Sequence, residues 1–141
     1  NLMKFRKKIK VLNVKIIKNT KGDIFKTFNK KNIIFKNLQE VYFSSVKFNS
    51  IKAWKFHKKM QLFLTVPVGK VKFVFFDQLT TKFYSITIGE KKQKILIMKP
   101  KIWFGFKGLG KRKNLIVSCS TLKHNKSEIL RKKIKEIKYK W

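Results

Sequence analysis

The chain has one cysteine, Cys119, so no internal disulfide can form. It lies in LIVSCS, which reads as a buried strand, so a packed thiol and a cytoplasmic setting are expected. No apolar run approaches the roughly 20 residues that span a bilayer. The N-terminus lacks the apolar stretch and small-residue cleavage site of a signal peptide. Histidine occurs only at His57 and His124, and no acid closely follows His57. A three- or four-ligand metal centre is therefore not expected, and no cofactor is implied. Acids number six against 37 lysines and arginines, a net charge of +31. Arginine occurs only at Arg6, Arg112 and Arg131, whereas bidentate reading of guanine prefers its fork. The lysines are spread along the chain, and no helix-turn-helix, zinc-finger or RNA-binding signature accompanies them. Nucleic acid is thus not the expected partner, although a lysine-rich nucleic-acid binder stands as one alternative, with salt-sensitive binding as its mark. Lys, Phe, Ile and Asn share AT-rich codons, an origin for the charge that leaves its attraction for anions intact.

Apolar residues are present at 43% of a 141-residue chain, enough for one domain with a core. Strand-like segments recur at 10–17, 24–28, 40–48, 51–57, 62–69, 70–77, 84–90, 94–100, 101–110 and 114–121. Turn signals separate them at Gly22, at 29–32, and at Gly69, Gly89, Pro100, Gly108 and Gly110. Pro67 suits a bulge or an edge. Many short strands punctuated this way predict an all-β sandwich or barrel, with its core at about 10–128. The stretch 129–141 reads as a short basic tail, with a helical option from Leu130, Ile134 and Ile137.

The order of motifs resembles the dTDP-4-dehydrorhamnose 3,5-epimerase family and its 3,4-ketoisomerase relatives. The matching pieces are KGDIFKTF (21–28), IKAWKFHKK (51–59), VPVGKVKFVFFD (66–77), ITIGE (86–90), ILIMKPKIWFGFKGLG (95–110) and NLIVSCS (114–120). The resemblance implies a cupin fold, the double-stranded β-helix or jelly roll, and a homodimer in which an N-terminal segment completes the partner's pocket. It also implies a nucleotide-sugar substrate and epimerisation or ketoisomerisation without metal. Lys52 takes the place of an arginine, and Lys21 that of another; both arginines contact phosphate in the family. Lys55 takes the place of the histidine base, and His57 that of a second histidine found in some relatives. Lys26 stands at a glutamate position and Phe104 at the histidine of an HGF segment, whose Gly105 and Phe106 are retained. A catalytically degenerate cupin that binds sugar nucleotides or a partner subunit is the other alternative.

The implied chemistry removes a proton beside a ketone and returns one, which suits a base with pKa near neutral. His57 is the acid/base candidate, with Lys55 polarising the 4-keto oxygen. Lys55 as base would need its pKa lowered by roughly three units, about 4 kcal/mol. Trp103, just before the retained Gly-Phe, is a candidate pocket wall, and Trp54 a core residue. Tyr42 and Tyr84 are both possible proton donors. His124 reads as a solvated loop histidine, and Asp77 as a turn cap. Strict alternation sets Ile51, Ala53, Lys55 and His57 against Lys52, Trp54 and Phe56. Lys52 and His57 can therefore share one face across a bulge, or Lys52 can reach round the strand end.

Overall fold

A computed structural model describes residues 7–29 and 38–141. Arg6 and all of the 29–32 turn except Asn29 lie outside them. The elements are β1 (Ile9–Asn13), β2 (Lys15–Ile17), β3 (Ile24–Lys26), β4 (Glu40–Ser45), β5 (Ile51–His57), β6 (Leu62–Val68), β7 (Lys70–Asp77), β8 (Lys82–Gly89), β9 (Lys94–Met98), β10 (Trp103–Gly108), β11 (Leu115–Ser120) and β12 (Ile129–Arg131). Among the described residues no helix is long and apolar enough to cross a membrane.

Two five-stranded sheets face each other, in the orders β1-β9-β6-β11-β4 and β12-β5-β10-β7-β8, with every ladder antiparallel. This is the expected jelly roll. Alternation decides what each strand buries. On β7, Val71, Phe73 and Phe75 point between the sheets, while Val74 points outward. On β10, Phe104 and Phe106 point inward and Trp103 outward. Each outer face is then covered by a terminal segment. Leu12, Val14 and Phe28 pack on Phe63, Ile95, Ile97 and Cys119. Ile137, Tyr139 and Trp141 pack on Trp54, Val74 and Trp103. Cys119 is buried, as expected of a packed thiol.

The C-terminal stretch is therefore no simple tail. Residues 129–131 form a strand on β5, and 134–136 a single 3-10 turn rather than an α-helix. Its apolar spacing serves a sheet face, and the sheet supplies the hydrogen bonds a short isolated helix would lack.

Two bulges shape the sheets. Against β11 the register of β6 slips between Val68 and Thr65, so Pro67 sits where no ladder bond is needed. Against β10 the register of β5 slips between Lys55 and Ala53, leaving Trp54 as the extra residue. Lys52 then stands opposite Phe106, and Lys55 opposite Phe104, both inward-facing. Lys52, Lys55 and His57 thus share the inner face.

One end of the barrel is tied by Asn114, which is buried. Its Oδ1 accepts from the amides of Lys70 (2.9 Å) and Gly110 (2.8 Å), and its Nδ2 donates to the carbonyls of Val46 (3.0 Å) and Gly110 (2.9 Å). Gly69 turns beside it at φ +80, where a Cβ would lie 2.1 Å from the Lys113 carbonyl. Asn114→Ala strands several buried backbone groups at once, and the expected cost is about 3 kcal/mol. Urea denaturation should show a lower midpoint at an unchanged slope. A midpoint within error of wild type would mean that water replaces these bonds freely.

Candidate functional site

The opposite end is open. A cavity of about 160 Å³ lies between the sheets, floored by Leu62, Leu64, Phe73, Phe106 and Ile116. Apolar cavities of roughly 150 Å³ take a six-membered ring. The polar groups gather at its mouth: Lys55 and His57 from β5, Glu40, Tyr42 and Ser44 from β4, Ser118 from β11, and His124 from the loop after it.

His57 is 4% exposed and stacks on Phe104, ring centroids 5.6 Å apart. Its Nδ1 is buried with no hydrogen-bond partner among the described residues. A histidine kept only to fill a wall would be expected to bond, so an orphaned buried nitrogen points to use rather than packing. Burial pushes its pKa down to about 4. The Glu128 carboxylate opposes that shift, while Lys55, Arg131 and His124 add to it.

Glu128 ends the 3-10 turn just before β12 and is itself buried. Burial raises its pKa, but the amides of Lys59 (2.6 Å) and Met60 (2.7 Å), with His57 beside them, outweigh this and hold it below the usual carboxylate range. The carboxylate so fixes the turn that follows His57. Lys55 is half-buried, and burial lowers its pKa, helped by Arg131 and Lys52. Arg131 stands directly opposite Lys55 in the β12–β5 ladder, on the inner face. Lys52 reaches the rim, donating 2.7 Å to the Ser45 carbonyl. Three cations therefore crowd one lip of the mouth. The ion pairs among the described residues, Lys8–Asp77 and Lys18–Asp23, lie elsewhere.

Tyr42, on β4, faces His57 across the cavity and hydrogen-bonds its cross-strand partner Ser118. Burial pushes the phenol pKa up, more than the Ser118 bond pulls it down, and Glu40 adds to the rise. Tyr84, the other tyrosine weighed as donor, packs on Phe75 in the core instead, ring centroids 6.2 Å apart.

The remaining sequence candidates divide. Trp103 is not a wall of this cavity. It sits on the outer face, tilted against the Phe56 ring, with its Nε1 donating 3.1 Å to Gln78, because the inner positions of β10 belong to Phe104 and Phe106. Trp54 packs on that outer face too, as expected for core. His124 is exposed but overhangs the mouth rather than standing apart from it. Lys21 lies in the exposed turn between β2 and β3, away from this chain's cavity. Asp77 caps its turn through the Leu79 amide and the Thr80 hydroxyl. Among the described residues no three His, Cys, Asp or Glu side chains converge as metal ligands would. Arg131, Glu128 and Tyr42 had no distinguishing signal in the sequence.

No family model matches the chain, and no curated protein matches it by sequence. Solved structures do match. A dTDP sugar isomerase from Desulfovibrio desulfuricans G20 aligns with TM-score 0.82 and 25% identity, over 89% of this chain and 83% of that one. A dTDP-4-dehydrorhamnose 3,5-epimerase from Sulfolobus tokodaii aligns with TM-score 0.80 and 15% identity, over 93% and 80%. A sugar 3,4-ketoisomerase from Thermoanaerobacterium thermosaccharolyticum, solved with TDP, aligns with TM-score 0.76 and 17% identity, over 92% of each chain. In fold, the chain belongs with the jelly-roll dTDP-sugar isomerases, 3,5-epimerases and 3,4-ketoisomerases.

Proposed function

We propose that the chain is a metal-independent isomerase of a dTDP-4-keto-6-deoxyhexose, acting as a 3,5-epimerase or 3,4-ketoisomerase. The observation that carries this is the convergence of His57, Lys55 and Tyr42 on one ring-sized cavity behind a cationic lip. The sugar enters the cavity and the diphosphate stays at the lip, where Lys52 and Arg131 offer charge and Arg131 a planar fork. His57 accepts the proton from the carbon beside the ketone. Lys55 activates the C4 carbonyl, and Tyr42, on the opposite sheet, returns a proton.

A homodimer belongs to this reading. The β2–β3 hairpin exposes Ile16, Ile17, Ile24 and Phe25, an apolar patch that association would cover. Lys21 rides on that hairpin and would reach a second copy's lip. A cytoplasmic setting suits the lone buried thiol.

The test is NMR of dTDP-4-keto-6-deoxyglucose with the protein in deuterated water. Deuterium should enter at C3 or C5, and a new keto sugar should appear. Neither event at millimolar substrate would remove the isomerase. The inactive-binder reading is favoured by one observation, that Phe104 lines the cavity where the family carries histidine. It predicts thermal stabilisation by the sugar nucleotide with no exchange. Tyr42→Phe should keep dTDP affinity and lose product formation by about 100-fold, while deuterium entry falls less, because the protonated His57 imidazole, once exchanged with solvent, can still return a deuteron to the face from which the proton left. Equal loss of both would make Tyr42 a binding group only.

A further inference from the structure

Lys55 is, among the described residues, the only lysine that lines the cavity. No described carboxylate or hydrogen-bond acceptor holds its Nζ. Glu40 lines the same cavity from the other sheet but forms no ion pair with it. Glu128 is committed to the amides of Lys59 and Met60. The charged side chains whose fields act on Lys55 are Arg131 and Lys52, both cations. An amine that is half-buried, unpaired and crowded by positive charge is placed to shed its proton, and a neutral lysine amine is a nucleophile toward ketones. An amine serving only as an electrostatic clamp would gain from a carboxylate to keep it charged.

We propose that Lys55 is a covalent catalyst, condensing through Nζ with the C4 ketone of the bound sugar to form an iminium ion. This deepens the sugar-nucleotide reading above and rests on it. Nζ attacks C4, the carbonyl oxygen takes up protons, and it leaves as water. The C=N⁺ bond then draws the electron pair of the adjacent C–H bond, whose proton passes to the His57 imidazole, and an enamine forms. Reprotonation at carbon restores the iminium. Water adds to C4, Nζ departs, and the ketone returns. The sequence is redox-neutral, and water is its only co-reactant. An iminium acidifies its neighbouring C–H bonds far more than a neutral ketone does, so a weakly basic imidazole suffices. That accounts for two features together: a lysine beside the cavity, and a histidine whose basicity burial has cut.

The test is trapping. The 141-residue chain is mixed with dTDP-4-keto-6-deoxyglucose and sodium cyanoborohydride, then read by intact mass and peptide mapping. The expected product is protein plus the substrate mass less one oxygen atom, attached at Lys55. Lys55→Arg sets a permanent cation at the same place and cannot form the iminium, so its deuterium exchange should fall by about 1,000-fold at unchanged dTDP affinity. An electrostatic clamp would leave Lys55→Arg within about tenfold of wild type. Wild-type exchange without an adduct, an adduct at another lysine, or an Arg variant within tenfold of wild type overturns the inference and leaves the isomerase standing. Absence of both exchange and adduct overturns both. The trapping arm uses wild-type protein, so a poorly folding variant does not blunt it.

Discussion

His57→Gln is expected to lose about three orders of magnitude in deuterium exchange and product formation, with dTDP affinity unchanged. Glutamine preserves size and polarity but cannot hold the abstracted proton. Of the titratable groups at the mouth, His57 has the lowest exposure and an unpartnered nitrogen, and it stacks on Phe104 beside the ring-sized cavity. In the free protein its pKa of about 4 leaves it neutral at working pH, ready to accept. The substrate's diphosphate then brings negative charge to the lip and pushes that value back up. Two pH profiles follow. The limb that His57 sets in kcat/KM, which reports the free protein, should lie near pH 4 and its limb in kcat higher, each separate from the limb that deprotonation of the Lys55 amine sets. Coincident limbs, or exchange by His57→Gln within tenfold of wild type, would take the imidazole out of the chemistry.

The same shift has a signature in stability. Above pH 6.5 His57 is neutral in both folded and unfolded chains and adds no pH dependence. Between 6.5 and about 4 the unfolded chain takes up a proton that the folded chain refuses, so stability falls as pH falls. The full loss is about 3 kcal/mol once pH drops below 4. Glu128 acts in an adjoining window. Its folded value lies below 4.5, so its stabilisation is present above that pH and is lost as pH falls through the depressed value. His57→Gln should flatten the slope above pH 4.5 and leave the lower one. Denaturation midpoints taken from pH 7 to well below pH 4 separate the two.

How much of this was legible depends on range. Strands β5 to β11 announce themselves through local alternation and through turn residues such as Gly69, because both are properties of neighbours in sequence. The inward pair Phe104 and Phe106 is equally local, and that pair sends Trp103 outward; a family resemblance alone had drawn Trp103 into the pocket. Local alternation shows that a bulge would bring Lys52 and His57 onto one face but not where it falls, since the bulge at Trp54 arises from how β5 registers on β10, far along the chain. Strand β12 has three residues and no period of its own; its partner defines it. Choosing Tyr42 over Tyr84 needed to know which strand closes over the cavity, and no spacing carries that. The chemistry sits where sheets meet, so the residues that build it were the least readable.

Trp54→Ala is the packing change with the largest expected cost, about 4 kcal/mol. The side chain is 1% exposed. It packs among Val74, Trp103 and Ile137, lies 5.2 Å from the Trp141 ring, and donates 3.3 Å to the Ile134 carbonyl. Its removal opens a cavity between β5 and the C-terminal segment and frees that segment's anchor. Typical domains hold only about 5–15 kcal/mol, so much of the margin goes. The consequence extends to the site. Trp54 is the extra residue of the bulge that brings Lys52 and His57 onto one face, and its backbone exchanges bonds of 2.9 and 3.1 Å with Lys132, continuing the ladder that presents Arg131. Weaker dTDP binding should therefore accompany the lost stability. Trp54→Phe should recover most of both. All three tryptophans lie on this outer face, so circular dichroism, and not fluorescence, is the fair measure of unfolding. A loss below 1 kcal/mol would show that the C-terminal segment does not hold the strand that carries the site.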